Sequence, residues 1–306
     1  MKKKNVVFHI GMMKTATTYF QNIVSNNREA LASQGWVYPG TRLNHQSEIY
    51  TLCGTDISWR TTEASSTPES DQFVRDLSDT NNNRLVSSEA LANLTEQGIE
   101  NLLSSISAPT SVIISMRPLT TIVPSAWQQS LKGGSKSTIE DYAERFIQSF
   151  EAREGSLYRT YAFGAAAQRW HNVAKASIKV IRIGSGDTWG AFRKACELPS
   201  VEVLEVPSAR RNIALSVGVC EIVRRYNEKC QKNGTFDKRR LDTLISCFME
   251  PPEVKLDEKK PTLPQKYLDT LERLEKAEWD TMSAIGVKVY NATTAKRVRM
   301  SLLKPK

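Results

Sequence analysis

The chain has 306 residues, of which 40% are apolar and 25% are charged, and this composition is ordinary for a folded, soluble protein. Its formal net charge of +9 at pH 7 favours an anionic ligand or surface, although a basic solvated exterior would give the same value. No stretch approaches the about 20 apolar residues that a membrane span needs, and the first apolar run is too short for a secretion signal. We therefore expect a cytoplasmic protein without a membrane span.

The cysteines and histidines indicate neither a disulfide framework nor a metal centre. The five cysteines include no Cys-x-x-Cys pair, and the three histidines are far apart, so free thiols and no bound metal are expected. The basic residues are dispersed and match no recognition motif, so specific nucleic acid binding is not expected. The oligomeric state is left open.

Short apolar runs alternate with segments of helical spacing along the chain. The predicted strands are Val6–Ile10, Trp36–Tyr38, Leu85–Ser88, Ser111–Ser115 and Ile178–Ile183. The predicted helices are Thr17–Ala32, Ile122–Lys132, Thr138–Glu151, Tyr158–Lys175, Trp189–Cys196, Ala214–Lys232 and Gln265–Ile285. This alternation predicts an α/β fold with a central, mainly parallel sheet covered on both faces.

A charged, proline-rich segment at 250–264 divides the chain. We expect residues 1–249 to form the α/β domain, and residues 250–306 to form a helical extension and basic tail packed on the same domain. A second predicted loop, rich in Ser, Thr, Pro and Asp, covers 55–71. The basic segment 132–136, with two glycines, predicts a mobile loop.

The first predicted strand runs directly into a glycine, a lysine and a cluster of threonines, and a helix follows. At such a junction the first N–H groups of the helix have no internal partner, and the helix dipole adds partial positive charge. Lys14 supplies a full charge, while Thr15, Thr17 and Thr18 supply further donors after Gly11. The segment is therefore predicted to bind phosphate or sulfate.

A nucleotide-hydrolysing loop of the form G-x-x-x-x-G-K-[ST] fits this segment poorly. Lys14 follows Gly11 by only three residues, and no second glycine precedes it. The threonine after the lysine could still ligate magnesium, so a P-loop kinase or NTPase remains an alternative. No convincing apolar strand ends in an Asp that would complete such a magnesium site.

Lys14-Thr15-Ala16-Thr17-Thr18 resembles the phosphate loop of sulfotransferases that use 3′-phosphoadenosine-5′-phosphosulfate (PAPS), and is most similar to bacterial-type members. Ala16 replaces the glycine usual in that family, and would be strained if it adopted a glycine-type backbone conformation. The family also has a strand ending in Arg, with Ser eight positions later. Arg117 and Ser125 match that spacing, and the two side chains could share one phosphate.

The resemblance covers roughly residues 5–220 and implies a three-layer P-loop sulfotransferase fold. It also implies transfer of a sulfuryl group from PAPS to a hydroxyl or amine, without a metal, on an acceptor such as a glycan, lipid, phenol or other small metabolite. The implied donor-binding residues are Gly11, Lys14, Thr15, Ala16, Thr17, Thr18, Arg117, Ser125 and Arg211. A catalytically inactive nucleotide-binding scaffold is a further alternative.

An alcohol acceptor needs a general base, and three residues are candidates. His45 is preferred, because relatives place their base in that region and imidazole titrates near neutrality. Glu89, at the end of a predicted buried strand, ranks second, and Glu48 third. With Lys14 opposite the leaving phosphate, His45 and Glu89 complete the predicted catalytic set.

Overall fold

A computed structural model describes residues 4–53, 66–78, 81–106, 109–184, 186–202, 214–248 and 259–291. Arg211 and the predicted basic tail lie outside these residues. Six strands form one sheet in the spatial order β2-β3-β1-β4-β5-β6, and every neighbouring pair is parallel. Their bounds are β1 Val6–His9, β2 Trp36–Val37, β3 Asn83–Ser87, β4 Ser111–Met116, β5 Ser177–Arg182 and β6 Lys288–Asn291.

Helices cover both faces of the sheet. They are α1 Thr17–Asn26, α2 Arg28–Ala32, α3 Gln46–Cys53, α4 Pro68–Ser78, α5 Glu96–Ser105, α6 Leu119–Lys132, α7 Ile139–Ala152, α8 Gly155–Tyr161, α9 Phe163–Ala174, α10 Thr188–Cys196, α11 Val217–Lys232, α12 Lys238–Cys247 and α13 Gln265–Ala284, with a short 3₁₀ helix at Glu89–Asn93.

Alternate residues of the central strands enter two separate hydrophobic cores. Val7 and Ile113 pack with α1, α2 and α10 on one face of the sheet. Phe8 and Val112 pack on the other face, with helices that include α5, α6, α9 and α13. Successive strand side chains point to opposite faces, so burial on both sides explains why the strand sequences are nearly continuously apolar. The predicted three-layer α/β architecture with a parallel sheet is confirmed.

The C-terminal part is more closely integrated than a helical extension. Strand β6 joins the sheet beside β5, with Lys288 opposite Lys179. Two carboxylates of α13 also accept hydrogen bonds from the N-termini of other helices: Glu275 from Leu119 N (2.9 Å), and Glu278 from Gly164 N (2.7 Å) and Ala165 N. Residues 259–291 thus complete both the sheet and its helical layer.

Several boundaries differ from the sequence prediction. The predicted helix 17–32 is two helices, and α4 begins at Pro68, inside the predicted loop 55–71. Helices α3, α5 and α12 and strand β6 were not predicted. Within the described residues, no helix is both long enough and apolar enough to pass through a lipid bilayer.

Candidate anion-binding site at the reversal of strand order

Three predicted site elements follow three adjacent strands. Gly11 follows β1, Glu89 follows β3 and Arg117 follows β4, and β1 lies between the other two strands. The chain forms β2 and β3 on one side of β1 and later β4 on the other side, so the strand order reverses there. In open parallel sheets, ligands bind at this point, outside the carboxyl ends of the strands.

In the loop after β1, residues with positive φ alternate with residues whose φ is negative. Lys14 and Ala16 both have φ of 64°, and Gly11 has φ of 93°. Ala16, the residue that caps α1, therefore adopts the conformation that usually requires glycine. Such alternation turns successive N–H groups toward one concavity and forms an anion-binding nest.

The backbone N–H groups of residues 13–18 have no hydrogen-bond acceptor among the described residues. Within the described part of the chain, the first backbone donors after Met12 N are Tyr19 N and Phe20 N, which both bond to Ala16 O. Buried or half-buried N–H groups normally have a partner. Six successive free donors at the positive end of α1 are what a phosphate or sulfate oxygen would satisfy.

The threonines of the loop have three different roles. The Thr15 side chain is fully buried, and its hydroxyl bonds to Met12 O and to the hydroxyl of Ser115, so Thr15 can offer an anion only its backbone N–H. The Thr17 hydroxyl donates to Glu89 Oε1. Thr18 is the exposed threonine of the three, and its predicted contact with a ligand stays a prediction.

Strand β4 fixes the position of the loop. Met12 N donates to Ser115 O (2.8 Å), and Ser115 N donates to Gly11 O (2.6 Å). Gly11 also lies against Glu89, because a Cβ added at Gly11 would lie 3.1 Å from Glu89 Cγ. A side chain at residue 11 would thus meet both an unfavourable φ and the Glu89 side chain.

Lys14 lies over the site and contacts helix α6. Its Nζ donates to Gln129 Oε1 at 2.8 Å. Burial, with a further contribution from the neighbouring Lys132, lowers the pKa of Lys14 to about 8, while the Glu89 carboxylate opposes this shift. Gln129 is not among the residues predicted from the sequence for this site.

Arg117 lies beside the loop, although more than 100 residues separate the two in sequence. Arg117 Nη1 donates to Lys14 O at 3.4 Å, which leaves the rest of the guanidinium fork for other acceptors. Ser125 lies half-buried on α6, four residues before Gln129 and therefore on the same face of that helix. The structure thus brings the Arg117 and Ser125 element next to the loop containing Lys14.

Glu89 borders the site from the β3 side. Its two oxygens accept hydrogen bonds from the Thr17 hydroxyl and from Gln21 Nε2 (3.4 Å), and the side chain is half-buried. A carboxylate has about four acceptor positions, so these two bonds leave capacity for a proton or an acceptor hydroxyl.

His45 is placed differently from the prediction. Its side chain is 0% exposed, Nδ1 accepts from Ser87 N (2.9 Å), and Nε2 donates to Pro39 O (2.9 Å). Burial lowers its pKa to about 3. Because both ring nitrogens are engaged and the ring is enclosed, this geometry argues against His45 as a base that contacts substrate.

Glu48 is also enclosed, at 2% exposure on α3. Burial raises the pKa of its carboxyl group, and its Oε1 lies 3.7 Å from Arg42 Nε. Of the three candidate bases, Glu89 is therefore the one that contacts residues 11–18, here named the anion loop, through the Thr17 hydroxyl.

The basic segment after α6 is held in place, contrary to the expected mobile loop. Asn227 Nδ2 on α11 donates to Leu131 O (2.9 Å) and Ser135 O (2.8 Å), and Gln231 Nε2 donates to Gly134 O. Three side-chain donations from one helix fix residues 131–135 against α11.

Two surface clefts lie elsewhere, between α5 and α9 (about 530 Å³) and among α7, α8, α9 and α13 (about 370 Å³). Neither is lined by the anion loop, so the site is identified by its backbone N–H groups that lack an acceptor.

Among the described residues, no group of three or more His, Cys, Asp or Glu side chains could hold a metal ion.

Comparison of the chain with protein-family models, curated proteins and solved structures gives no match.

Proposed function

We propose that the protein is a PAPS-dependent sulfotransferase of the cytoplasm, which transfers a sulfuryl group to a hydroxyl or amine acceptor. One observation carries the proposal. The nest at residues 13–18, with Lys14, lies directly beside Arg117 at the reversal of strand order. Two cationic phosphate-binding elements at one site suit a nucleotide with separate 5′ and 3′ phosphate groups, as PAPS has.

The residues present fit the two ends of such a donor. The free N–H groups of residues 13–18 and the Thr18 hydroxyl suit the 5′-phosphosulfate group. Arg117, with Ser125 of the adjacent helix, suits the 3′-phosphate, because a guanidinium fork binds phosphate bidentately. Arg211 remains part of the proposal from sequence alone, since it lies outside the described residues.

Sulfuryl transfer leaves negative charge on the departing phosphate oxygen. Lys14 supplies a mobile ammonium to that oxygen, at a position already lined by backbone donors, and such pre-arranged donors favour the transition state over the ground state. The ammonium first has to leave Gln129, and that exchange replaces a hydrogen bond to a neutral amide oxygen with a stronger one to a negatively charged oxygen.

The acceptor must lose a proton as it attacks. We assign this role to Glu89, in place of His45, because its carboxylate borders the loop and retains free acceptor capacity. Thr17 and Gln21 orient the carboxylate from the α1 side. The chemical class of the acceptor is not specified by these residues.

Calorimetry with adenosine 3′,5′-bisphosphate, the desulfated donor, tests the proposal. We expect binding without magnesium, a strong preference over adenosine 5′-phosphate, and a loss of about tenfold to 100-fold in affinity in Arg117→Ala, because charged hydrogen bonds are worth about 1.5–3 kcal/mol. Lys179→Ala, which removes a cation bonded to Glu197 at β5, is the matched control and should bind normally.

The alternative of a P-loop kinase or NTPase predicts the opposite pattern. Such a protein would bind ATP in a magnesium-dependent manner and would gain nothing from a 3′-phosphate. Magnesium-dependent ATP binding with no binding of the bisphosphate would therefore refute the sulfotransferase proposal. Where the bisphosphate binds, incubation with sulfur-labelled PAPS and panels of glycans, lipids, phenols and peptides identifies the acceptor class, and separates an enzyme from an inactive scaffold.

A further inference from the structure

A continuous series of buried hydrogen bonds runs beneath the anion loop, and His9 of β1 lies at its centre. His9 Nδ1 lies 2.8 Å from Ser87 Oγ on β3, and His9 Nε2 lies 3.1 Å from Ser115 Oγ on β4. The ring is 0% exposed, and Phe20 and Phe192 pack against it. His9 therefore links the two strands that carry the opposite halves of the site.

Each end of the series reaches a site element. On the β4 side, Ser115 Oγ bonds to Thr15 Oγ1 (2.8 Å), and the Thr15 hydroxyl bonds to Met12 O within the loop. On the β3 side, Gln21 Nε2 contacts Ser87 Oγ (3.2 Å) and Glu89 Oε2 (3.4 Å). The series thus extends from the loop backbone to the Glu89 carboxylate.

The direction of the hydrogen bonds on the β4 side follows from one carbonyl. Met12 O can only accept, so the single hydroxyl proton of Thr15 points to it, and Thr15 must accept from Ser115. The proton of Ser115 is then used, so Ser115 must accept from His9 Nε2–H.

The protonation state of the other ring nitrogen, Nδ1, follows from the charge of the ring. Complete burial lowers the pKa of His9 to about 3, so the ring is neutral at pH 7 and has a single N–H. Nδ1 is consequently bare and accepts from the Ser87 hydroxyl, and Ser87 in turn accepts from Gln21 Nε2. Every donor points the same way, from Gln21 to Met12 O.

We infer that His9 is a positioning residue, held as the Nε2–H tautomer, that couples the orientation of the Glu89 carboxylate to that of the anion loop. The ring has no hydrogen bond to either of them. It acts through Ser115 and Thr15 on one side, and through Ser87 and Gln21 on the other. Its consequence for catalysis rests on the proposed function, whereas the tautomer and the coupling are properties of the protein without ligand.

The tautomer is measured by two-bond ¹H–¹⁵N NMR correlation on ¹⁵N-histidine-labelled wild-type protein between pH 5 and 8. The expected result is a protonated Nε2 and a bare Nδ1 for His9, unchanged over this range. A proton on Nδ1, or a ring that titrates in this range, would overturn the inference. Because this NMR measurement needs no nucleotide, its result on the His9 tautomer is valid even if the proposed function is wrong.

The coupling is measured on the Gln21 side-chain amide, whose ¹H–¹⁵N resonances report its hydrogen bonds. Ser115→Ala removes the acceptor of His9 Nε2–H and is expected to shift the Gln21 amide resonances, although Ser115 and Gln21 share no hydrogen bond. Ser111→Ala is the matched control, since Ser111 is a buried serine on the same strand and the same face, outside the series. Equal spectra for the two variants would refute the coupling.

The functional consequence is measured by affinity for adenosine 3′,5′-bisphosphate. Ser115→Ala is expected to weaken binding about fivefold, the effect of losing one hydrogen bond, and Ser111→Ala to leave it unchanged. His9→Phe should show both the amide shift and the weaker binding; if it does not fold, the two serine variants carry the test. If the wild-type protein binds the bisphosphate and Ser115→Ala binds it equally well, the positioning role is refuted. If the wild-type protein does not bind it, the proposed function is refuted instead.

Discussion

Lys14 Nζ donates a 2.8 Å hydrogen bond to Gln129 Oε1, which joins the anion loop to the helix that carries Ser125. The contact places the Lys14 ammonium group at the site. Its partner there is an uncharged amide, so the positive charge of Lys14 is not cancelled. An amide oxygen holds a cation weakly enough for an anion to displace it, whereas a carboxylate at the same position would not.

The first prediction concerns residue 129. Gln129→Glu should weaken binding of adenosine 3′,5′-bisphosphate by about tenfold or more, because a carboxylate would pair with Lys14 and repel the anion. Calorimetry at two salt concentrations measures the effect. In a Lys14→Met background Gln129→Glu should reduce the affinity for the bisphosphate less, because the lysine that the carboxylate would neutralise is absent. An equal reduction in affinity in both backgrounds would contradict the prediction.

The second prediction concerns pH. The pKa of Lys14 is lowered to about 8, so the residue is charged below that pH and loses its charge above it. Affinity for the bisphosphate should therefore fall above pH 8 by up to about tenfold per pH unit. Lys14→Arg stays charged throughout this range and should remove the dependence. A wild-type affinity that does not change between pH 7 and 9.5 would contradict the assignment.

The third prediction concerns Ala16, which has φ of 64°. A left-handed conformation costs a non-glycine residue about 1–2 kcal/mol, so Ala16→Gly should raise the free energy of unfolding by about 0.5–1 kcal/mol after the added chain entropy of glycine is subtracted. Urea denaturation measures the free energy of unfolding. Ala30→Gly, at an exposed position in α2, should instead lower the free energy of unfolding by about 1 kcal/mol.

The fourth prediction tests the packing of α13 against α9. A Cβ added at Gly164 would lie 2.4 Å from Glu278 O, so Gly164→Ala should lower the free energy of unfolding by about 2 kcal/mol or more. Gly218, also helical, has no heavy atom within 4 Å of its added Cβ, and Gly218→Ala should be stabilising by about 0.5–1 kcal/mol. Thermal or urea denaturation of both variants gives the comparison, and a Gly164→Ala protein as stable as Gly218→Ala would disprove the close contact.

The fifth prediction separates binding from chemistry at Glu89. Glu89→Gln keeps the shape of the side chain but cannot take a proton at neutral pH, so turnover of an identified acceptor should fall by about 10²–10⁴-fold. Affinity for the bisphosphate should change by less than about threefold. Glu100→Gln, at an exposed position on α5, is the matched control. Turnover that survives in Glu89→Gln would exclude Glu89 as the base.

Much of the central architecture could be predicted from local sequence. Strands β1 and β4 are short apolar runs buried on both faces, and the elements that follow them have recognisable chemistry in Lys14 and Arg117. Strand β6 could not be predicted in this way, because Lys288–Asn291 lies at the sheet edge, largely exposed, and has no apolar run. Its pairing depends on a contact with β5, more than 100 residues earlier.

The site itself was less predictable, for a similar reason. His45 follows a polar segment and therefore resembles a loop histidine, yet Tyr38 and Phe73 enclose its ring. Gln129 is uncharged and was not predicted as a site residue, and only the fold shows that it reaches Lys14. Tertiary contacts, and not local patterns, decide which polar side chains face the ligand and which are buried.

The edge position of β6 has a consequence for the order of events during synthesis. The anion loop follows the first strand and leaves the ribosome early, but the sheet that supports it gains its sixth strand only when Lys288–Asn291 emerge. Until then the edge of β5 and the N-termini of α6 and α9 lack their partners from β6 and α13. A nascent chain stopped before residue 259 thus presents an open strand edge, the kind of surface that chaperones protect from association with other chains.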